Sequence, residues 1–296
     1  MKRGGAMGIG GFVDEAARTR HRSALDAAMA VLPPHASHDV PTVFGIVRVH
    51  RFGGHHSDGG PGRPVLLLPG RLGTTAMWAP NLPALVARRP VWALDPLGEP
   101  GASEQTAPIT GDADQAAWLA EVVGALGGPL HVVGASLGAR WGLELAVRHP
   151  AGVASLALLE PAHTLSRLRP GFVATSLLAA VPGLHGLVLR HAGGGSPPAD
   201  DPLTPVLVLG GTAYRLRLAP PGYPSDAALR SLGMPVLALL GGRSTVGHAA
   251  RGARRARALI ADVEVEVWPE ATHALPSSHA ERVDERLAAF HARADR

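Results

Sequence analysis

The sequence predicts an α/β fold built on a mostly parallel sheet. Short runs of apolar β-formers recur along the chain, and segments with helical patterning separate them, as in βαβ units. The runs lie at 64–68, 91–94, 130–133, 154–159, 235–240 and 263–267. A hydrophobic content of 46% against 18% charged residues, over 296 residues, is typical of a globular chain with one large domain or two small ones.

The first part of the chain is expected to lie outside this alternation. Residues 1–11 are rich in glycine and predict a disordered tail, while 12–32 has the pattern of an amphipathic helix that Pro33 and Pro34 end. We therefore assign residues 1–39 to an N-terminal tail and helix. Residues 40–52 alternate well enough for a strand, or for a hairpin divided at Gly45.

Between the apolar runs, residues 79–89 and 113–126 predict helices, the second with Asp112 as its candidate N-cap. The last run carries Glu264 and Glu266 on one face, which is expected of a strand at the edge of a sheet.

The adjacent His55 and His56 stand in a stretch of loop formers. Because no further ligand lies at a useful spacing, we interpret this stretch as a solvated loop and expect no metal site.

Residues 161–232 break the alternation of strands and helices. The segment is rich in Pro, Gly and Leu and contains apolar pieces at 172–189 and 206–218. It lies between one strand and the next, where a lid could be inserted. The alternative is a second packed helical layer with no gating role.

Composition excludes several classes of function. The chain has no cysteine, which rules out disulfides and cysteine-based metal or redox sites and fits a cytoplasmic location. Charged residues interrupt the place where a signal peptide would have its apolar region, and no stretch is long enough for a membrane span. The net charge of +4 is modest.

One basic cluster consists of Arg251, Arg254, Arg255 and Arg257. We interpret it as a solvated helix face and expect no nucleic-acid partner; binding of an anionic partner is the minor alternative.

The run at 130–133 leads into Gly134-Ala135-Ser136-Leu137-Gly138. A Gly-x-Ser-x-Gly sequence between a strand and a helix is the pattern of a nucleophile elbow, a sharp turn that exposes one serine. Glycines are needed on both sides because Cβ atoms there would collide with the neighbouring strand and helix. The pattern predicts that Ser136 is a nucleophile and that the protein is an enzyme.

Several motifs resemble those of the α/β-hydrolase fold family, over about residues 40 to 293. They are Leu68-Pro69-Gly70-Arg71, Asp95-Pro96-Leu97-Gly98, Gly134 to Gly138, Arg148-His149-Pro150 and His273. The resemblance implies a doubly wound, mostly parallel sheet of the α/β-hydrolase type with a core at 40–160 and 233–296. A helical lid at 161–232 would follow the strand that ends at Glu160. The Asp95 loop is usually structural in this family, so we assign Asp95 no catalytic role.

The resemblance also implies the base. His273 follows the last strand, in the loop where family members place a catalytic histidine that activates the serine. His279 is the nearby alternative.

The acid departs from the commonest pattern of the family, because residues 240–246 contain no carboxylate. Some relatives, including haloalkane dehalogenases, carry the acid at the end of the strand after the elbow helix, and Glu160 stands there. Glu160 would hold the imidazole tautomer and stabilise the imidazolium. A structural role for Glu160 is the alternative, and Glu270 is a weaker candidate acid.

The oxyanion hole requires two donors aimed at the developing charge. The resemblance implies the backbone N–H groups of Leu137 and Arg71. The sequence leaves open whether the Arg71 side chain enters the pocket. Trp78 is a candidate substrate-binding residue at the mouth of that pocket.

These expectations combine into a cytoplasmic serine hydrolase that cleaves a carboxylic ester, or a related thioester or lactone, with an apolar group through an acyl-enzyme on Ser136. The partner is a small-molecule ester, and no cofactor is expected. One alternative is a cofactor-free perhydrolase, in which peroxide replaces water. Another is an inactive binding protein of the same fold, for which the missing carboxylate near Ser244 is the best argument.

Overall fold

A computed structural model of the chain describes residues 8–53, 62–177, 190–191 and 201–296. His55 and His56 lie outside these residues. The strands are β1 Gly11–Phe12, β2 His35–Thr42, β3 Gly45–Phe52, β4 Val65–Leu68, β5 Val91–Leu94, β6 Glu104–Gln105, β7 Leu130–Ala135, β8 Val153–Leu159, β9 Tyr214–Arg215, β10 Val236–Gly241 and β11 Val263–Trp268. The helices are α1 Glu15–Met29, α2 Leu82–Val86, α3 Asp112–Ala125, α4 Leu137–Arg148, α5 Pro170–Leu177, α6 Leu203–Ala213, α7 Asp226–Arg230, α8 Ala249–Leu259, α9 Leu275–Ser278 and α10 Ala280–Ala294, with 3₁₀ turns at Thr75–Trp78 and Pro150–Gly152.

The main sheet has the strand order β11-β10-β8-β7-β4-β5-β3-β2, with the short β6 beside β3. The pairs from β11 to β5 are parallel, while β3 runs antiparallel to both β5 and β2. The mostly parallel sheet predicted from the apolar runs is confirmed. Of the two options for residues 40–52 the hairpin is correct, and Gly45 is required at its turn because a Cβ there would collide with the carbonyl of Glu104.

Helices cover both faces of the sheet. Since successive residues of a strand point to opposite sides, each central strand contributes side chains to two cores. In β4, Leu66 and Leu68 belong to the core on the side of α3, α4 and α8. Val65 and Leu67 belong to the core on the other side, with Trp268 and Phe290. This double cover explains why the strands are continuous apolar runs rather than alternating ones.

The N-terminal segment packs against a distant part of the chain. Helix α1 begins after Asp14, whose side chain accepts the Ala17 N–H at 2.6 Å. Its residues Leu25 and Ala28 pack on Val206 of α6, and strand β1 pairs antiparallel with β9. The helix is shorter than the predicted 12–32, and residues 11–12, predicted to be tail and helix start, form a strand.

A buried ionic cluster fastens the segment before α7 to the core. Arg140 of α4 is almost fully buried; its guanidinium reaches Glu144 at 2.5 Å, Asp112 at 2.7 Å and the Gly222 carbonyl at 3.0 Å. Asp112 also accepts the Gly222 N–H. The prediction that Asp112 caps α3 is wrong, since Gly111 is the N-cap residue and the Asp112 carboxylate faces this cluster instead.

The basic cluster on α8 is not uniformly solvated. Arg255 bonds to Asp226 at 2.8 Å, to the carbonyls of Thr164 and Pro224, and its guanidinium lies over the Tyr223 ring. At least this arginine therefore has a structural role that joins α8 to the segment before α7.

At the amino-terminal end of the sheet lies a group that we call the basal relay, formed by Ser155, His131 and Asp295. His131 Nδ1 is 2.8 Å from Ser155 Oγ, and His131 Nε2 is 2.9 Å from Asp295 Oδ1. The ring of His291 stacks on His131 at 4.5 Å between centroids. His131 and Ser155 are neighbours in β7 and β8 and are completely buried.

Within the described ranges, no helix combines the length and the hydropathy needed to cross a bilayer.

Candidate active site

Ser136 occupies a sharp turn between β7 and α4. Its backbone has φ 52° and ψ −114°, a strained conformation for a residue other than glycine. A Cβ on Gly134 would lie 2.5 Å from backbone atoms of Ala139, and one on Gly138 would collide with the Leu68 carbonyl. Both flanking glycines are therefore sterically required, as the motif predicts.

His273 lies in the loop between β11 and α9 and reaches back to the turn. Its Nε2 is 2.9 Å from Ser136 Oγ, and its side chain is 14% exposed. His279 lies elsewhere: it precedes α10, contacts Ser278 Oγ at 2.9 Å and has its ring against Trp268. The structure thus brings His273, and not His279, to the serine.

Glu160 directly follows β8 and completes the arrangement. Its Oε2 is 3.0 Å from His273 Nδ1, its Oε1 accepts the Gly241 N–H, and the side chain is only 6% exposed. The alternative acid, Glu270, is half exposed and bonds to Arg282 at 2.9 Å. We call Ser136, His273 and Glu160 the elbow relay.

The stretch that lacks a carboxylate has another function in the geometry of the site. A Cβ on Gly241 would lie 2.6 Å from the Ala271 carbonyl oxygen, and one on Gly242 would lie 2.8 Å from Pro269 Cα. The two glycines let the His273 loop pack directly against the end of β10. Sequence reasoning missed this contact, although the Gly-Gly pair after a buried strand was a signal.

The protonation pattern of the elbow relay follows from its partners. An ionised carboxylate can only accept, so Nδ1 of His273 donates to Glu160 and Nε2 is left to accept the Ser136 hydroxyl proton. That arrangement is the one in which a histidine can deprotonate a serine during attack.

Both candidate oxyanion donors lie next to the turn, and neither donates to an acceptor among the described residues. Leu137 is the first residue of α4, where backbone N–H groups have no partner within the helix. Gly70 touches the nucleophile, since a Cβ on it would lie 3.1 Å from Ser136 Cβ. The N–H of the following Arg71 donates to no acceptor in the part of the chain that the structure describes.

Two clefts lie near the nucleophile, one lined by the residue that follows it and the other by its histidine and acid partners. One, with about 270 Å³ of space that includes open solvent, is lined by Leu137, Arg71, Trp141 and Leu218, among others. The other, of about 280 Å³ on the same measure, is lined by His273, Glu160, Leu165, Leu240 and Val246, among others.

Trp78 is not at the mouth of either cleft. Its side chain is completely buried and packs in the core with Trp268 and Leu275, which corrects the expectation that it contacts substrate. The Arg71 side chain does line a cleft, and it is paired there with Glu99 at 3.1 Å.

Asp95 has the structural role that the resemblance implies. It is completely buried, and its carboxylate accepts the N–H groups of Thr75 at 2.8 Å and of Ala102 at 2.9 Å. It thereby joins the loops after β4 and β5.

The comparisons with known proteins agree with this architecture. A family model described as the alpha/beta hydrolase fold matches residues 63–179. Carboxylesterase YbfK of Bacillus subtilis is 27% identical over 237 residues, which cover 76% of this chain and 79% of that protein. A second Bacillus subtilis protein, the uncharacterized carboxylesterase nap, is 29% identical over 243 residues, 77% and 78% of the two chains.

Among solved structures, naproxen esterase (carboxylesterase NP) from Bacillus subtilis superposes with a TM-score of 0.85 at 25% identity, covering 92% of this chain and 97% of that one. With this sheet order, the serine at the elbow and these matches, the chain has the α/β-hydrolase fold.

Proposed function

We propose that this protein is a serine hydrolase of small-molecule carboxylic esters that acts through an acyl-enzyme on Ser136. The observation that carries the proposal is the elbow relay: 2.9 Å from Ser136 Oγ to His273 Nε2 and 3.0 Å from His273 Nδ1 to Glu160. The similarity to two carboxylesterases supports an ester as the substrate. Thioesters and lactones would use the same groups.

The reaction follows from the geometry. Ser136 Oγ attacks the carbonyl carbon while His273 Nε2 takes its proton, and the resulting oxyanion binds the N–H groups of Leu137 and Arg71. The ester C–O bond then breaks, and His273 returns the proton to the leaving alcohol. Water next attacks the acyl-enzyme with His273 as base, which releases the carboxylic acid and frees Ser136.

The two clefts can be matched to the two parts of the ester, because His273 must lie next to the leaving alcohol in order to protonate it. We place the alcohol in the cleft lined by His273, Leu165 and Val246. The acyl group occupies the cleft beside Leu137, where Trp141 and Leu218 supply apolar surface.

The proposed domain division keeps a core at 40–160 and 233–296 and a lid at 161–232. The contacts of Leu25 and Ala28 with Val206 support joining the N-terminal helix to that lid.

Labelling with a fluorophosphonate probe, read by intact mass, tests the proposal without a guess about substrate. We expect one label on the wild-type protein, none on Ser136→Ala, and hydrolysis of p-nitrophenyl esters that is lost in the same variant. A folded wild-type protein that takes up no label and cleaves no ester would instead favour a binding protein of this fold.

A further inference from the structure

Glu99, in the loop after β5, is a fully buried carboxylate without a role in the chemistry described above. Its side chain has no exposed surface, yet its oxygens face the loop that carries an oxyanion donor. Oε1 is 3.1 Å from Arg71 Nη1, and Oε2 accepts the Leu72 N–H at 3.0 Å. Both residues therefore depend on this one carboxylate.

The loop after β4 needs such support. The Gly73 N–H donates to the Gly70 carbonyl at 3.0 Å, which closes a tight turn, and Leu72 within it has φ 61°. A left-handed conformation is unfavourable for leucine, so the turn persists only where contacts enforce it. The bond from Leu72 to Glu99 is the contact that fixes this residue.

The same bonds determine which N–H group stays available. Gly73 N–H is used inside the turn and Leu72 N–H is used by Glu99, while Arg71 N–H has no acceptor among the residues that the structure describes. The Arg71 N–H belongs to the peptide whose carbonyl, that of Gly70, accepts the Gly73 N–H. If Leu72 left its left-handed conformation, this turn would open, the Gly70–Arg71 peptide would lose that bond, and the donor beside Ser136 would change direction.

We propose that Glu99 is a positioning residue that holds the Arg71 N–H toward the oxyanion by accepting the Leu72 N–H and by its ion pair with the Arg71 guanidinium. This inference rests on the proposed function, because it presupposes that a tetrahedral intermediate forms on Ser136.

The unequal burial of the pair supports positioning over stability. Glu99 has no exposed surface, whereas the Arg71 side chain is 37% exposed, so solvent screens their attraction and desolvation of the carboxylate offsets it. Burial raises the pKa of Glu99, and the Arg71 charge and the Leu72 N–H oppose that rise. Burial and the Glu99 charge raise the pKa of the neighbouring Tyr214 of β9 to about 12. Arg71 is thus the cation that favours the charged form of Glu99.

Two variants test the inference. Glu99→Gln keeps an oxygen for the Leu72 N–H and removes the charge that holds Arg71, while Arg71→Met keeps the backbone donor and removes the guanidinium. We expect each to lower kcat about tenfold, less than the 10²–10³ lost when an oxyanion donor is removed outright. KM should stay within about twofold, as for an interaction made only in the transition state.

The affinity for an inhibitor that forms a tetrahedral adduct distinguishes positioning from a merely structural role, which would leave that affinity unchanged. A trifluoromethyl ketone adds to a serine and places an oxyanion on the same donors, so its affinity should fall by the same factor as kcat in both variants. The double variant should lose less than the product of the two single losses, because the residues act as one unit.

Asp295→Asn is the matched control, because Asp295 also binds an arginine, Arg89, but at the far end of the sheet. It should leave kcat and inhibitor affinity unchanged. Wild-type kcat and inhibitor affinity in both test variants, or a rise in KM alone, would overturn the positioning role while Ser136 remains labelled and active. Loss of labelling and hydrolysis in the wild-type protein would instead overturn the proposed function.

Discussion

The elbow relay and the basal relay lie at opposite ends of the same two strands, and their hydrogen bonds have nearly equal lengths. In the elbow relay the distances are 2.9 Å from serine to histidine and 3.0 Å from histidine to carboxylate. In the basal relay they are 2.8 Å and 2.9 Å. Each contains a serine, a histidine and an acid, yet only one has the surroundings of an active site.

Three features distinguish them. Ser136 stands in a strained turn at the start of α4, beside N–H groups that have no acceptor among the described residues, whereas Ser155 lies inside β8. A cleft lined by His273 and Glu160 reaches the elbow relay, while His131 and Ser155 have no exposed surface. The histidines are also reversed, since Ser155 faces Nδ1 of His131 and Ser136 faces Nε2 of His273. Three hydrogen-bonded side chains are therefore not enough to identify a nucleophile. The serine must also be accessible to a substrate and lie beside donors for an oxyanion.

Alanine variants of Ser136 and Ser155 should show the largest contrast, one losing activity and the other losing stability. Ser136→Ala should lower kcat by about 10⁴-fold or more, because the nucleophile is lost, and leave the unfolding free energy nearly unchanged. Ser155→Ala should leave kcat unchanged and lower stability by about 1–3 kcal/mol, since the buried Nδ1 of His131 loses its partner. Esterase assays and urea unfolding measure both. A loss of activity in a folded Ser155→Ala protein would contradict the comparison.

The two acids give the next largest effect. Glu160→Gln should lower kcat by about 10²–10⁴-fold, because an amide can no longer select the histidine tautomer that accepts the serine proton. Asp295→Asn should affect unfolding and not kcat. An unchanged kcat in Glu160→Gln would show that Glu160 is structural.

Acid should weaken the basal relay. Burial and the neighbouring His131 lower the pKa of His291 to about 2, and burial also lowers the pKa of His131. The unfolded chain protonates these rings near pH 6.5, whereas the fold keeps His291 neutral to far lower pH and disfavours protonation of His131. Stability therefore falls as pH drops below about 6.5, by about 1.4 kcal/mol per pH unit from His291, and His131 contributes in the same direction.

His291→Phe checks this expectation. Neither ring nitrogen of His291 has a hydrogen-bond partner in the described residues, so phenylalanine keeps the stacking on His131 and loses no bond. The variant should be at least as stable at pH 7, and its unfolding free energy should fall less steeply with acid. An identical pH dependence in both proteins would refute the proposed role of His291.

The smallest effect is expected at an arginine that binds the acid of the basal relay. Arg89 is nearly buried and bonds to Asp295 at 3.1 Å and to the Arg63 carbonyl at 3.0 Å. Arg89→Met should cost about 1–2 kcal/mol of stability and no activity. The exposed Arg22, 3.6 Å from Asp26, is the matched control, for which methionine should cost less than about 1 kcal/mol. If both variants lost the same unfolding free energy, the buried pair would stabilise this protein no more than the surface pair.

Sequence reasoning predicted the elements that local patterns encode. The strand runs, the elbow and the candidates Glu160 and His273 all depend on position relative to apolar runs, which one sequence displays. The basal relay was missed among 15 histidines. A signal existed, because His131 and Ser155 are polar interruptions at matching places in two apolar strands.

Long-range packing accounts for what could not be predicted. The orientation of Trp78 is set by a four-residue 3₁₀ turn that the sequence does not reveal. The link between Glu99 and Arg71 joins two loops, each following a different strand, and neither loop indicates the other.

The pairing of β1 with β9 also bears on how the chain folds. Gly11–Phe12 meet Tyr214–Arg215, which lie about 200 residues further along the chain, and such a separation slows closure of the contact. The apolar face of α1 packs on Ala76 and Val206, so part of it stays uncovered until α6 docks. In a partly folded chain this face is a surface on which a chaperone that binds apolar segments would act.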